Sequence, residues 1–74
     1  MIFKRKLSKK ELSVLCYLAQ ADDEIAYQLC LSPNTVKTHI QRILNKLNCK
    51  NRTQAIICGL KNDIISIEDV VYEV

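Results

Sequence analysis

Leu31-Ser32-Pro33-Asn34-Thr35-Val36-Lys37-Thr38-His39-Ile40-Gln41-Arg42-Ile43-Leu44-Asn45-Lys46-Leu47 reads as one helix with its start signal written out. Ser32 is a good N-cap, because its hydroxyl can accept a bond from a free amide of the first turn. Pro33 falls at the first helical position, where its fixed φ fits and its missing N–H is not needed. Val36, Ile40, Ile43, Leu44 and Leu47 recur at helical spacing and define a buried stripe. At about 100° per residue the stripe is centred near Val36, Leu47 and Ile40. Asn34, Thr38, Gln41, Arg42 and Asn45 lie opposite, flanked by Lys37 on one side and by Thr35, His39 and Lys46 on the other. The run holds no acid. A merely solvated helix face mixes both signs, so acid-free polarity points to an anionic partner.

The rest of the chain bounds that reading. Seventy-four residues make one small domain, and a hydrophobic fraction of 49% suffices for a core of a few packed helices. One Gly and one Pro leave little room for the turns of a sandwich or barrel. No apolar run is long enough to cross a bilayer, and Met1-Ile2-Phe3-Lys4-Arg5-Lys6 lacks a signal-peptide core, so a cytoplasmic protein is expected. Eleven bases and only four acids lie within residues 1–61, whereas residues 62–74 hold four acids and no base. A basic body with an acidic end suits nucleic-acid binding away from the C-terminus.

Three more helices are predicted. Ser8 and Glu11 form a capping box for the first, with Leu7 and Leu12 as a hydrophobic staple. Leu12, Leu15, Leu18 and Ala19 form its core stripe, with Val14 beside it, and it is expected to end near Gln20 or Ala21. A short second helix spans about residues 22–30, with Asp22, Asp23 and Glu24 at its start, where the helix dipole favours acids. Ile25, Ala26 and Leu29 give its inward face, and Leu31 points to the core. Two helices joined by a tight turn, the second well capped and basic, make a helix-turn-helix pattern, although the glycine often found in such turns is absent. Asn51, with Gln54 at N3, starts a fourth helix over about residues 52–61. Its apolar residues Ala55, Ile56, Ile57, Cys58 and Leu60 occupy more than one face, which favours a subunit interface. The tail, residues 62–74, is rich in β-branched residues without clean alternation, and Ser66 could cap a last helical turn.

The four cysteines show no metal-ligand spacing, and His39 is the single histidine, so no metal and no cofactor are expected. Each cysteine sits among aliphatics and reads as a small buried hydrophobe. Cys49, beside Lys50 and Arg52, is the one whose setting suits a reactive thiol. No nucleophile–base pair or glycine-rich phosphate loop points to an enzyme.

Together these residues resemble the LuxR-type (NarL/LuxR/GerE-like) helix-turn-helix family. The carriers are Leu7-Ser8-Lys9-Lys10-Glu11-Leu12-Ser13-Val14-Leu15, then Glu24-Ile25-Ala26, Leu29, Leu31-Ser32, Thr35-Val36-Lys37 and His39, and finally Ile43, Lys46-Leu47, Cys49 and Asn51-Arg52-Thr53-Gln54-Ala55. The match covers about residues 7–61. Residues 1–6 would then be a basic arm and 62–74 an acidic, apolar tail, in the manner of effector-only, GerE-like members. The chain departs from the family in three places. The loop after the first helix is about two residues shorter and lacks its glycine; Ala21-Asp22-Asp23 replaces a common Ser-Asn-Lys; and Ser13 stands where Glu is usual.

The resemblance implies an all-α, four-helix fold and a transcriptional regulator that binds double-stranded DNA as a dimer. The 33–47 helix would lie in the major groove. Lys37, Thr38 and Gln41, with Asn34, would read bases, while Thr35, Arg42, Asn45 and Lys46 would meet phosphates. The Lys4-Arg5-Lys6 arm, Lys50 and Arg52 would add nonspecific attraction. Ile56, Ile57 and Leu60 would form a homodimer interface, and RNA polymerase is a candidate further partner; no membrane or small-molecule ligand is implied. The rival is a protein-interaction module on the same scaffold, using the last helix and the tail without DNA. A σ-factor-like promoter-binding fragment is a third reading.

Overall fold

The computed structural model describes residues 7–71. Four α-helices, α1 (Lys9–Cys16), α2 (Asp22–Leu29), α3 (Pro33–Leu47) and α4 (Arg52–Lys61), are followed by a 3₁₀ turn, Ile67–Asp69. The described residues contain no strand. The long α3 is the hub: α1, α2 and α4 all pack on it, and α4 also touches α1.

Local chemistry starts three of the helices. The Ser8 hydroxyl accepts from Glu11 N–H (3.1 Å), and the Glu11 carboxylate accepts from Ser8 N–H (3.0 Å), so the capping box at α1 is complete. Ser32 Oγ accepts from Thr35 N–H (3.1 Å) ahead of Pro33, and Asn51 Oδ1 accepts from Gln54 N–H (2.9 Å). Gln54 does not close a box on Asn51. Its side chain reaches one residue further back, to Lys50 N–H at 2.8 Å. Only α2 begins without a side-chain cap, at Ala21, where three acids in the first turn offset the dipole.

The helix ends are less ordinary. Cys30 (φ 57°), Asn48 (φ 56°) and Asp63 (φ 57°) adopt the left-handed conformation after α2, α3 and α4. Behind each, an amide reaches back five residues to a helix carbonyl: Leu31 to Ala26, Cys49 to Leu44, and Ile64 to Gly59, all at 2.9 Å. This is the Schellman closure, usually built on glycine, made here three times with side-chain-bearing residues. The second helix therefore stops at Leu29, and Cys30 is its cap.

The first helix also ends earlier than the sequence reading expects, at Cys16 rather than near Gln20 or Ala21. Tyr17 and Leu18 N–H groups bond the carbonyls three residues back, and no left-handed residue closes this end. Two distant segments take the carbonyls that the missing turns would have used. Val71 N–H donates to Cys16 O (2.8 Å), and the Arg52 guanidinium takes Leu18 O and Gln20 O. Ala19, expected in the core stripe, is exposed as a result.

The core is built from Leu7, Val14, Leu15, Leu18, Ile25, Ala26, Val36, Ile40, Ile43, Leu47, Ala55, Ile64 and Ile65. The stripe predicted for α3 is the buried one, with Leu44 half-buried at its edge. Residues 62–71 fold back onto this core: Ile64 and Ile65 are buried in it, and Val70 packs against it. The capping role expected of Ser66 is met by its backbone, since its N–H is accepted by the Asp69 carboxylate at 3.1 Å. Gly59 lies directly under the fold-back. A Cβ there would lie 3.1 Å from Ile65 Cγ1 and 3.3 Å from Leu15 Cδ2, so the absent side chain is the room that Ile65 fills against α1.

Candidate nucleic-acid interface

The outward face of α3 carries Asn34, Lys37, Thr38, Gln41, Arg42 and Asn45, all exposed, with Thr35, His39 and Lys46 half-buried at its margins. No acid lies on the helix. The inward stripe anchors it along its whole length, so these six side chains are presented from a rigid rod. Thr38 gives its hydroxyl proton to Asn34 O (3.0 Å), which leaves its methyl group and oxygen lone pairs for a partner. The Thr35 and Ser32 hydroxyls share a hydrogen bond of 2.8 Å at the N-terminus. Lys37 and Gln41 are one turn apart on this face, both with long, exposed side chains.

The structure sorts the other basic residues. The Lys46 ammonium sits 2.8 Å from the Glu11 carboxylate, which is only 2% exposed on α1. Arg52 points inward: it donates to Leu18 O (3.2 Å), to Gln20 O and to the Asp22 carboxylate. The nonspecific attraction expected of Arg52 is thereby corrected, since its fork is spent on the α1–α2 connection. Asp22 is correspondingly neutralised by that partner, and the Asp23 carboxylate accepts from Glu24 N–H (3.0 Å). Lys50 is exposed, and the 4–6 arm lies outside the described residues.

Burial by itself raises the pKa of Glu11. The hydrogen bond from Lys46, the Ser8 N–H, and the nearby charges of Lys46 and His39 more than offset it and hold the carboxyl below its ordinary value. Glu11 thus does two jobs, as N3 partner of the α1 cap and as the buried anchor for the last turn of α3. A sequence signal for the second job existed. Leu7, Glu11, Leu15 and Leu18 are spaced as one helical stripe, so the acid had to fall on the core side. His39 Nδ1 is buried without a hydrogen-bond partner among the described residues.

On α4, Ala55 and Gly59 face the core, while Ile56 and Leu60 are half-buried and Ile57 is 49% exposed. Among the described residues no helix is long and apolar enough to cross a membrane, and no three His, Cys, Asp or Glu side chains gather as metal ligands do.

Comparison with known proteins fits this geometry. Residues 5–58 match the profile of the family described as "Bacterial regulatory proteins, luxR family". In Bacillus subtilis (strain 168), an uncharacterized transcriptional regulatory protein, YxjL, is 43% identical over 60 residues, which is 78% of this chain and 28% of that protein. Transcriptional regulatory protein LiaR of the same organism is 40% identical over 62 residues, 81% of this chain and 29% of LiaR. Response regulator protein VraR of Staphylococcus aureus (strain NCTC 8325 / PS 47) is 36% identical over 61 residues, 80% of this chain and 29% of VraR. The chain thus spans less than a third of the length of these relatives. No solved structure matches. With four helices among its described residues, an acid-free third helix and a family match over most of its length, the chain belongs to the LuxR family of bacterial regulatory proteins.

Proposed function

We propose that this domain is a sequence-specific, double-stranded-DNA-binding transcriptional regulator that sets α3 into the major groove. The observation that carries the reading is the acid-free face of Asn34, Lys37, Thr38, Gln41, Arg42 and Asn45, exposed together on a helix that three others hold rigid. Lys37 has the reach for guanine O6 and N7, and Gln41 for adenine N6 and N7; Thr38 offers a methyl to thymine, and Asn34 joins them from the first turn. Arg42, Asn45 and Thr35 meet phosphates and set register. Lys46 joins the phosphate contacts only by sharing its ammonium with Glu11, so it contributes least.

One helix covers only a few base pairs, so useful specificity calls for two copies on two half-sites. Ile56, Ile57 and Leu60 form the pairing surface, because α4 keeps an exposed apolar residue after its core needs are met. A monomer by light scattering at micromolar concentration counts against that pairing.

A gel-shift titration on random duplex DNA at low and raised salt tests the reading, because each neutralised phosphate releases counterion and steepens the loss of affinity with salt. Selected fragments then provide a defined site. On it, Lys37→Ala or Gln41→Ala relaxes preference at one position by about 1–3 kcal/mol. Arg42→Ala lowers the salt slope by about one without changing preference. Absence of binding even at low salt sinks the proposal.

A further inference from the structure

Thr38 differs in kind from the other side chains exposed on the outward face of α3. Asn34, Lys37, Gln41, Arg42 and Asn45 all end in N–H donors, whereas Thr38 ends in a hydroxyl and a methyl group. Its hydroxyl proton is already committed, to Asn34 O one turn back at 3.0 Å. That bond holds χ1 in one well, because the oxygen has to face the carbonyl four residues back. The methyl group is thereby fixed in place as well. Asn34, Gln41 and Arg42 stand three or four residues from Thr38 and are its neighbours on the helix surface. The middle of a donor-rich face thus carries one immobilised methyl group and an oxygen left only to accept.

This chemistry restricts what Thr38 can recognise. With its proton engaged it cannot donate to a phosphate oxygen, to guanine O6 or N7, to adenine N7 or to thymine O4. The apolar group that B-DNA displays in the major groove is the C5 methyl of thymine. Cytosine has a hydrogen on the same ring carbon, and methylation there installs the same group.

We infer that Thr38 reads the C5 methyl group of a pyrimidine, so that DNA affinity responds to methylation of that one ring carbon. Thymine is favoured over uracil, and 5-methylcytosine over cytosine. The inference rests on the DNA-binding reading above and deepens it. It assigns the contact to the methyl group alone, and it extends the recognised bases to a modified one. Lys37 and Gln41 read hydrogen-bonding edges and are indifferent to this group.

Fluorescence anisotropy of the full chain on a duplex from the selection above tests this. Each thymine is replaced in turn by deoxyuridine, and each cytosine by 5-methylcytosine. At one pyrimidine of a half-site, loss of the methyl from thymine weakens binding about fourfold, the worth of one buried methyl group. With a cytosine–guanine pair placed at that position, 5-methylcytosine binds tighter than cytosine by about the same factor. The first arm reads thymine as the source of the methyl and the second reads the modified base. Thr38→Ser keeps the hydroxyl and loses the methyl, so both differences vanish. Thr38→Val keeps a methyl and loses the hydroxyl, so both persist. Far-UV circular dichroism checks that the two variants keep the fold. Binding by the parent that ignores the methyl at every position overturns the inference and leaves the DNA reading standing. So does a methyl response that survives in Thr38→Ser or disappears in Thr38→Val. Absence of binding by the parent even at low salt overturns the DNA reading itself, and this inference with it.

Discussion

Replacing Arg52 by Ala tests the most consequential interaction that the structure adds to the sequence. The guanidinium joins three groups on the connection between α1 and α2: Leu18 O, Gln20 O and the Asp22 carboxylate. Hydrogen bonds from a charged donor contribute about 1.5–3 kcal/mol each when well buried. Here the side chain is 34% exposed, so about 1 kcal/mol for each carbonyl is the appropriate scale. The Asp22 pair, 31% exposed on the acid's side, adds about 0.5 kcal/mol. The expected loss is about 2–3 kcal/mol, against a total of about 4–11 kcal/mol for a chain of this length. In a domain this small that lowers Tm by about 10–20 °C. Urea and thermal unfolding followed by circular dichroism measure it. Arg52→Lys keeps the charge and loses the fork, so it should recover only the Asp22 part, about 0.5 kcal/mol. An Arg52→Ala protein within about 0.5 kcal/mol of the parent, or a Lys variant equal to it, would refute the clamp.

Two other outcomes follow from the same geometry. Glu11 is held below its ordinary carboxyl pKa of 4.5, so its contribution is complete above that value and is lost as pH falls below it toward the lowered folded-state value. Glu11→Gln should therefore cost about 1–2 kcal/mol at neutral pH, discounted because the Lys46 side chain is 35% exposed, and the gap to the parent should narrow below pH 4.5 in acid-unfolding curves; a gap constant with pH excludes the ion pair as its source. Cys30→Gly should stabilise the fold by about 0.5 kcal/mol, read as a higher urea midpoint, because a left-handed L-residue (φ 57°, ψ 43°) gives way to one without a Cβ; an unchanged or lower midpoint argues against strain at this turn.

What could be read directly from the chain was local. The Ser8, Ser32 and Asn51 caps join residues three apart, and the Val36–Ile40–Ile43–Leu47 stripe repeats within one helix, so neighbouring letters carry the whole signal. The end of α1 could not be read that way. Its carbonyls are taken by Arg52 and Val71, partners found only once the chain has folded back on itself. Lys46 is the same kind of residue. On its own helix it belongs to the basic margin, and only the packing of α1, 35 positions away, gives its ammonium to Glu11. The glycine-free turns misled in a milder way: Cys30 closes α2 with a bond pattern that composition would assign to glycine.

The fold-back over Gly59 separates two boundaries that are easily taken as one. The match to the family profile stops at residue 58, yet Ile64 and Ile65 still belong to the core, Val70 still packs on it, and Val71 still holds the carbonyl of Cys16. A cut made where the family match stops would uncover Leu15 and leave α1 with an open end. The unit that must be moved intact, in a truncation or in a fusion to another module, therefore runs through residue 71, and a joining linker belongs beyond it. Residue 59 bears on that limit, because a side chain there would crowd Ile65 of the returning segment and Leu15 of α1.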